Sequence, residues 1–223
     1  MTSPQPDEFN WDELGRFKKE GRFTDGYPPD TRTFYAPRDD LHGLLRTLLA
    51  STQRSIVLNM YGYADDELDE IIRAKLADDQ IYIQMSLDRT QAHGKHERDI
   101  LANWANGSFG NSIAIGTSSK SAISHLKILI VDGVYTVKGS TNWSLSGETE
   151  QDNELTLSRN AVIAAETRAQ LDLNHDHMLK QMAKRREVGK KPRAKPKKQQ
   201  TTRRTTAGSA ATGRSRSRRP GSR

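Results

Sequence analysis

The chain has 223 residues, of which 34% are hydrophobic, and a mean hydropathy of -0.81, low for a sequence packed throughout its length. No stretch approaches the roughly 18 uninterrupted apolar residues of a membrane-spanning helix. The polar start lacks the basic and apolar runs of a secretory signal, and the absence of cysteine excludes disulfides and thiolate metal sites.

The net charge of +7 conceals a division. Sixteen of the 35 Lys and Arg lie between Lys184 and Arg223 beside one acid, Glu187, leaving 19 basic and 27 acidic residues in the remainder. An acidic body therefore carries a strongly basic tail, and the simplest expectation is a protein of the cytoplasm.

Along the chain, residues 1–30 hold Pro4, Pro6, Pro28 and Pro29 and read as a partly disordered amino-terminal extension. Within it, Trp11, Leu14 and Phe17 recur at three-residue spacing and predict a short helix over Trp11 to Phe23. Thr33-Phe34-Tyr35 is a strand candidate stopped by Pro37. Asp39 and Asp40 precede a helix with Leu41, Leu44, Leu45, Leu48 and Leu49 on its apolar side. Ser55 to Tyr63 reads as a strand, Asp65 and Asp66 open a second helix, and Ile81 to Leu87 alternates as another strand. A helix is expected from about Lys95 to Asn106, then a strand from Ser112 to Ile115.

Two β-rich runs, Ser124 to Val131 and Val134 to Val137, flank Asp132-Gly133, a strong hairpin signal. Leu155 to Leu157 is a further strand and Ala161 to Met182 a long helix. Strands alternating with helices predict an α/β domain over 31–182, a mixed β-sheet flanked by helices. From 183 to 223 large apolar residues nearly vanish, and this segment is expected to be disordered.

The chemistry concentrates in His125-Leu126-Lys127, followed after four residues by Asp132 and after six more by Gly139-Ser140-Thr141-Asn142. On an extended segment His125 and Lys127 face the same side. An imidazole serves as nucleophile or proton carrier near neutral pH, and an ammonium supplies positive charge where phosphate oxygens gain negative charge. The Ser140 hydroxyl and Asn142 amide are hydrogen-bond donors to the same phosphate.

This HxK, D, GSxN pattern resembles the signature of the phospholipase D superfamily over its full length, and implies the fold of that superfamily. The resemblance extends to small single-signature bacterial endonucleases through Leu87-Asp88-Arg89-Thr90-Gln91 and through Trp143-Ser144 after Asn142. The segment Gly116 to Ala122 matches no family feature. The resemblance implies that His125 is a nucleophile forming a phosphohistidine. It also implies that Lys127 and Asn142 bind phosphate with support from Ser140, and that an acid orients the histidine. Glu154 is the candidate for that acid, with Glu150 or Asp152 as alternatives. Asp132, at the hairpin turn, and Gly139 read as structural members of the signature. The family mechanism uses two histidines and the chain has one signature, so a two-fold homodimer is implied. No metal and no other cofactor is expected.

The tail residues Lys184, Arg185, Arg186, Lys190, Lys191, Arg193, Lys195, Lys197, Lys198, Arg203 and Arg204 form a polyelectrolyte arm suited to nucleic acid, DNA ahead of RNA, in a salt-sensitive manner. The expected activity is endonucleolytic. The competing readings are a phospholipase or cardiolipin hydrolase using the same site, and a DNA-binding protein without catalysis; without an amphipathic anchor no membrane partner is expected.

Other polar groups have simpler readings. His93 and His96 lack a third ligand, and His175 and His177 read as surface residues of the long helix. The Asp pairs at 39–40 and 65–66 read as helix caps. Nucleotide-binding glycine loops and the HExxH zinc pattern are absent.

Overall fold

The computed structural model describes residues 9–91 and 113–190, with the side chains of 186–190 excepted. The expected helix at 95–106, with His93, His96 and Trp104, and the tail beyond Lys190 lie outside the described residues.

A seven-stranded sheet in the order β1-β7-β6-β5-β2-β3-β4 organises the chain. Its strands are β1 (Thr31–Ala36), β2 (Ser55–Met60), β3 (Tyr82–Asp88), β4 (Ile113–Gly116), β5 (Lys127–Val131), β6 (Tyr135–Gly139) and β7 (Asn153–Arg159). β2, β3 and β4 run parallel, whereas the pairs from β1 through β5 to β2 are antiparallel. The expected mixed sheet is therefore observed.

The central strands are apolar on both faces because both are covered. On β2, Ile56, Leu58 and Met60 enter the large core beneath α1 (Leu41–Ala50) and α2 (Asp66–Leu76). Val57 and Ile130 point the other way, onto Ala164 and Leu171 of the long helix α4 (Ala161–Lys190). A short helix, α3 (Leu145–Thr149), follows β6.

Helix starts are set by single carboxylates. Asp40 accepts from the Gly43 amide at the start of α1, and Asp65 from the Leu68 amide at the start of α2. Asp39 does something else: its carboxylate is enclosed, 2.6 Å from Lys18 Nζ, and accepts from the Lys19 and Tyr35 amides.

Three expectations are corrected. Trp11 to Phe17 forms a 3-10 helix and stops there. Spacing by threes is the period of that helix, which stacks Trp11, Leu14 and Phe17 on one buried line. Those three side chains join the main core, so the segment from Phe9 onward packs with the body. Second, α4 continues past Met182 to Lys190, so Lys184, Arg185, Arg186 and Lys190 lie on a helix. The Arg185 guanidinium donates to the Ile115 carbonyl. Third, His175 is buried, with Nδ1 3.0 Å from Ser86 Oγ, whereas His177 is half-buried beside Gln181.

Candidate active site

The ends of five strands meet at one edge of the sheet: the carboxyl ends of β2, β3 and β6 and the amino ends of β5 and β7. In open α/β sheets this edge, beyond the carboxyl ends of the parallel strands, is where ligands bind.

The β5–β6 hairpin sets the frame. Asp132 and Gly133 have φ of 55° and 69°, and the Val134 amide returns to the Val131 carbonyl at 3.1 Å. Positive φ at both central residues makes a type I′ turn, whose twist matches antiparallel strands. The Asp132 carboxylate accepts from the backbone amides of Gln53, Arg54 and Ser55 at 3.1, 2.7 and 2.9 Å. It therefore ties the hairpin to the start of β2, at the end of β5 opposite His125.

At the other end, His125 precedes β5 rather than lying on it, and Lys127 is the first strand residue. The segment is extended enough that the two side chains converge. Lys127 Nζ lies 3.1 Å from His125 Nε2 and 3.2 Å from the His125 carbonyl. An ammonium has no acceptor lone pair. Nε2 must therefore accept, and the ring carries its proton on Nδ1. Burial pulls the Lys127 ammonium below the ordinary lysine value, while the His125 ring is exposed.

Tyr61, at the end of β2, completes this corner. Its ring meets the His125 ring edge-on at 4.6 Å and lies 5.0 Å beneath Lys127 Nζ, while its hydroxyl accepts from Gln91 Nε2 at 2.8 Å. The next residue, Gly62, donates its amide to Asn142 Oδ1 at 3.2 Å. That bond leaves the Asn142 NH₂ as a donor with no partner among the described residues.

The approach to His125 is held from β3. Buried Asp88 accepts from the Ser124 amide at 2.6 Å with one oxygen and from the Thr90 amide at 2.8 Å with the other. A cleft of about 590 Å³ opens beside His125, walled by the Thr117–Ser119 segment, Leu126 and α4, including Asn174, His177 and Lys180.

Two expected site residues have their hydrogen bonds elsewhere, although Glu154 lines a small cavity together with Lys127. The Ser140 hydroxyl donates to Asn153 Oδ1 at 2.8 Å and accepts from the Glu154 amide at 3.0 Å, stitching the end of β6 to the start of β7. The Glu154 carboxylate accepts from Thr156 Oγ1 at 3.1 Å. No carboxylate among the described residues is hydrogen-bonded to the His125 ring. Gly139 owes its place to packing: a Cβ there would lie 2.0 Å from the Glu154 carbonyl on the neighbouring strand.

Tyr61 and Gly62 were not singled out from the sequence. Their only signal is position, immediately after a central strand. The resemblance includes Asp88 but implies no role for it.

Residues 45–175 match the family model described as "Cardiolipin synthase, PLD-like domain". No curated protein matches the chain. Among solved structures, the phospholipase D family member Nuc from Salmonella typhimurium superposes with a TM-score of 0.54 at 20% identity, covering 66% of this chain and 93% of that one. NucT from Helicobacter pylori gives 0.50 at 16% identity, covering 67% and 95%. Phosphatidylserine synthase from Haemophilus influenzae gives 0.50 at 11% identity, covering 65% of this chain and 38% of that one. At these identities the likeness is one of fold. Among the described residues no helix is long and apolar enough to cross a membrane.

Proposed function

The chain belongs to the phospholipase D-like family, and from that premise we propose that it is a phosphodiesterase, an endonuclease that cleaves DNA without a metal ion. The observation that carries this reading is the 3.1 Å approach of Lys127 Nζ to His125 Nε2. A lone pair on Nε2, a cation beside it and an unpartnered amide NH₂ at Asn142 are groups that an in-line attack on a phosphodiester can use.

In this mechanism the substrate phosphate replaces His125 as the partner of Lys127. The ammonium and the Asn142 NH₂ bind its non-bridging oxygens, and Nε2, now free, forms a bond to phosphorus. The leaving oxygen departs with a proton from the His125 of a second copy of the chain. That histidine, now neutral, takes a proton from water as the water attacks the phosphohistidine, and both imidazoles are restored. Exposure of His125 is compatible with such a shared site. RNA would be cut by the same groups, since they address the phosphodiester. The basic tail supports a polyanionic substrate, and the names of two structural neighbours, Nuc and NucT, support a nuclease.

The name of the family model favours a second reading, in which the phosphodiester is that of a phospholipid. One experiment separates the two: wild type and His125→Ala, in EDTA, on plasmid DNA, single-stranded RNA and anionic phospholipid vesicles. DNA cleavage by wild type alone is expected. Hydrolysis confined to vesicles would replace the nuclease reading, and cleavage by His125→Ala would refute the mechanism.

A further inference from the structure

Behind the loops that carry Tyr61 and Asn142 lies a cluster for which the proposed reaction has no use. His42 from α1, Asp65 from the cap of α2 and Glu148 from α3 present one ligand atom each within 4.8 Å of one another. Nδ1 of His42 is 2.7 Å from Glu148 Oε2 and 3.3 Å from Asp65 Oδ2. Asp65 and Glu148 are buried.

As a set of ion pairs the cluster is incomplete. His42 aims one Nδ1–H at two carboxylates and bonds well to one of them. Glu148 Oε1 is buried with no hydrogen-bond partner among the described residues. A bare carboxylate oxygen away from water is costly and unusual.

We propose that His42 Nδ1, Asp65 Oδ2 and the Glu148 carboxylate bind a divalent transition-metal ion of the zinc class, whose role is structural. The donor set, one imidazole and two carboxylates, suits zinc with water in the fourth position. A tetrahedral ion with ligands at ~2.0 Å holds them ~3.3 Å apart, the present separation of His42 Nδ1 from Asp65 Oδ2. Glu148 needs only to swing away from Nδ1 or present its bare Oε1. Asp65 keeps its cap meanwhile, because the Leu68 amide is bound by Oδ1.

The surroundings favour the correct tautomer. Metal on Nδ1 requires the ring proton on Nε2, and Nε2 already lies 2.9 Å from Glu67 Oε2, itself bound through Oε1 to Arg46 at 3.0 Å. A carboxylate behind a ligating histidine fixes the ring and strengthens it as a donor. Asp65 follows the Tyr61-Gly62 segment and Glu148 follows Asn142-Trp143, and the two loops already bond through Trp143 N to Gly62 O and Ala64 N to Trp143 O. The ion would pin both loops to α1 without touching the phosphate.

The test uses the full chain, stripped with EDTA, desalted and titrated with ZnCl₂ or MgCl₂ while its melting is followed. A tenfold excess of zinc is expected to raise the midpoint by roughly 5 °C or more, magnesium to do much less, and metal analysis to return one zinc per chain. His42→Gln and Glu148→Gln are expected to lose the shift. A His93→Ala/His96→Ala/His125→Ala variant keeps the cluster intact and is expected to bind one zinc by calorimetry. The result overturning the proposal is absence of zinc binding to that triple variant, or an equal shift in His42→Gln. Neither readout depends on nuclease activity.

Discussion

Lys127 and His125 are bonded to each other before any substrate arrives, Nζ to Nε2 at 3.1 Å. In the proposed mechanism, the attacking nitrogen is thus held with its lone pair occupied by the same cation that later meets the phosphate. Replacing Lys127 by Met keeps most of the apolar stem and removes the charge. Turnover of DNA and of a small activated phosphodiester is expected to fall by about 10²–10³, with KM for the small substrate changing much less. His125→Asn is expected to lose at least about 10³ in kcat, with DNA retention in a filter or mobility assay intact. Equal losses in binding and turnover for both variants would speak for a site that only binds.

Asp88 makes no hydrogen bond to His125, Lys127 or Asn142, yet it holds the Ser124 amide 2.6 Å from Oδ2, one residue before His125. Asp88→Ala leaves that buried amide unpaired and is expected to cost about 1–3 kcal/mol of stability. It is also expected to reduce kcat by about 10–100-fold through misplacement of the imidazole. Asp88→Asn still offers an acceptor oxygen and should recover most of kcat. If Asp88→Ala lowers stability but leaves kcat at the wild-type value, Asp88 supports the fold alone.

Legibility followed the range of the interaction. Asp132-Gly133 could be read as a turn because both residues tolerate positive φ, and Asp40 and Asp65 as caps because a cap bonds three residues along the chain. The His125–Lys127 pair could be read because two residues along an extended chain face one way, even though the strand itself begins only at Lys127. Tyr61 against His125, Asp88 against Ser124 and His42 against Glu148 could not. They meet through strand order and helix placement, the last pair across 106 residues, and no local period announces them. The 3-10 helix is an intermediate case: the three-residue spacing predicts a helix, but neither its type nor its end at Phe17.

Asp39 anchors the amino-terminal segment. Its fully enclosed carboxylate meets Lys18 Nζ at 2.6 Å. Burial works against the charge, but the Lys18 ammonium and the Lys19 and Tyr35 amides outweigh it and hold the carboxyl below the ordinary Asp value. A group with a depressed folded value stabilises above its unfolded value, 3.8, and that contribution is lost as pH falls through the folded value. Asp39→Ala, which strands a partly buried ammonium, is therefore expected to cost about 3 kcal/mol at pH 7. The gap from wild type should narrow in urea titrations as pH drops below 3.8. A gap that does not change between pH 7 and pH 3 would mean that packing, not charge, sets the effect.

The basic tail is best tested by cutting after Lys190, not at the end of the expected helix. Arg185 donates to the Ile115 carbonyl and Gln181 to Thr117, so removal from residue 183 or 184 onward would disturb α4 as well as the charge. From 191 to 223 the chain holds 12 Lys and Arg and no acid, while the body it leaves behind is acidic and repels a polyanion. Each phosphate contact contributes about 0.9 to the slope of log K against log salt, so engaging even half of these side chains predicts a slope shallower by about 5 in the truncated protein. DNA affinity at low salt is expected to fall by at least about tenfold, whereas turnover of a small activated phosphodiester should stay within about twofold, because a single phosphate offers no polyanionic track for the tail to bind. An unchanged salt slope on plasmid DNA would show that the tail does not engage the substrate, and the cations that attract DNA would then have to be sought on the body itself.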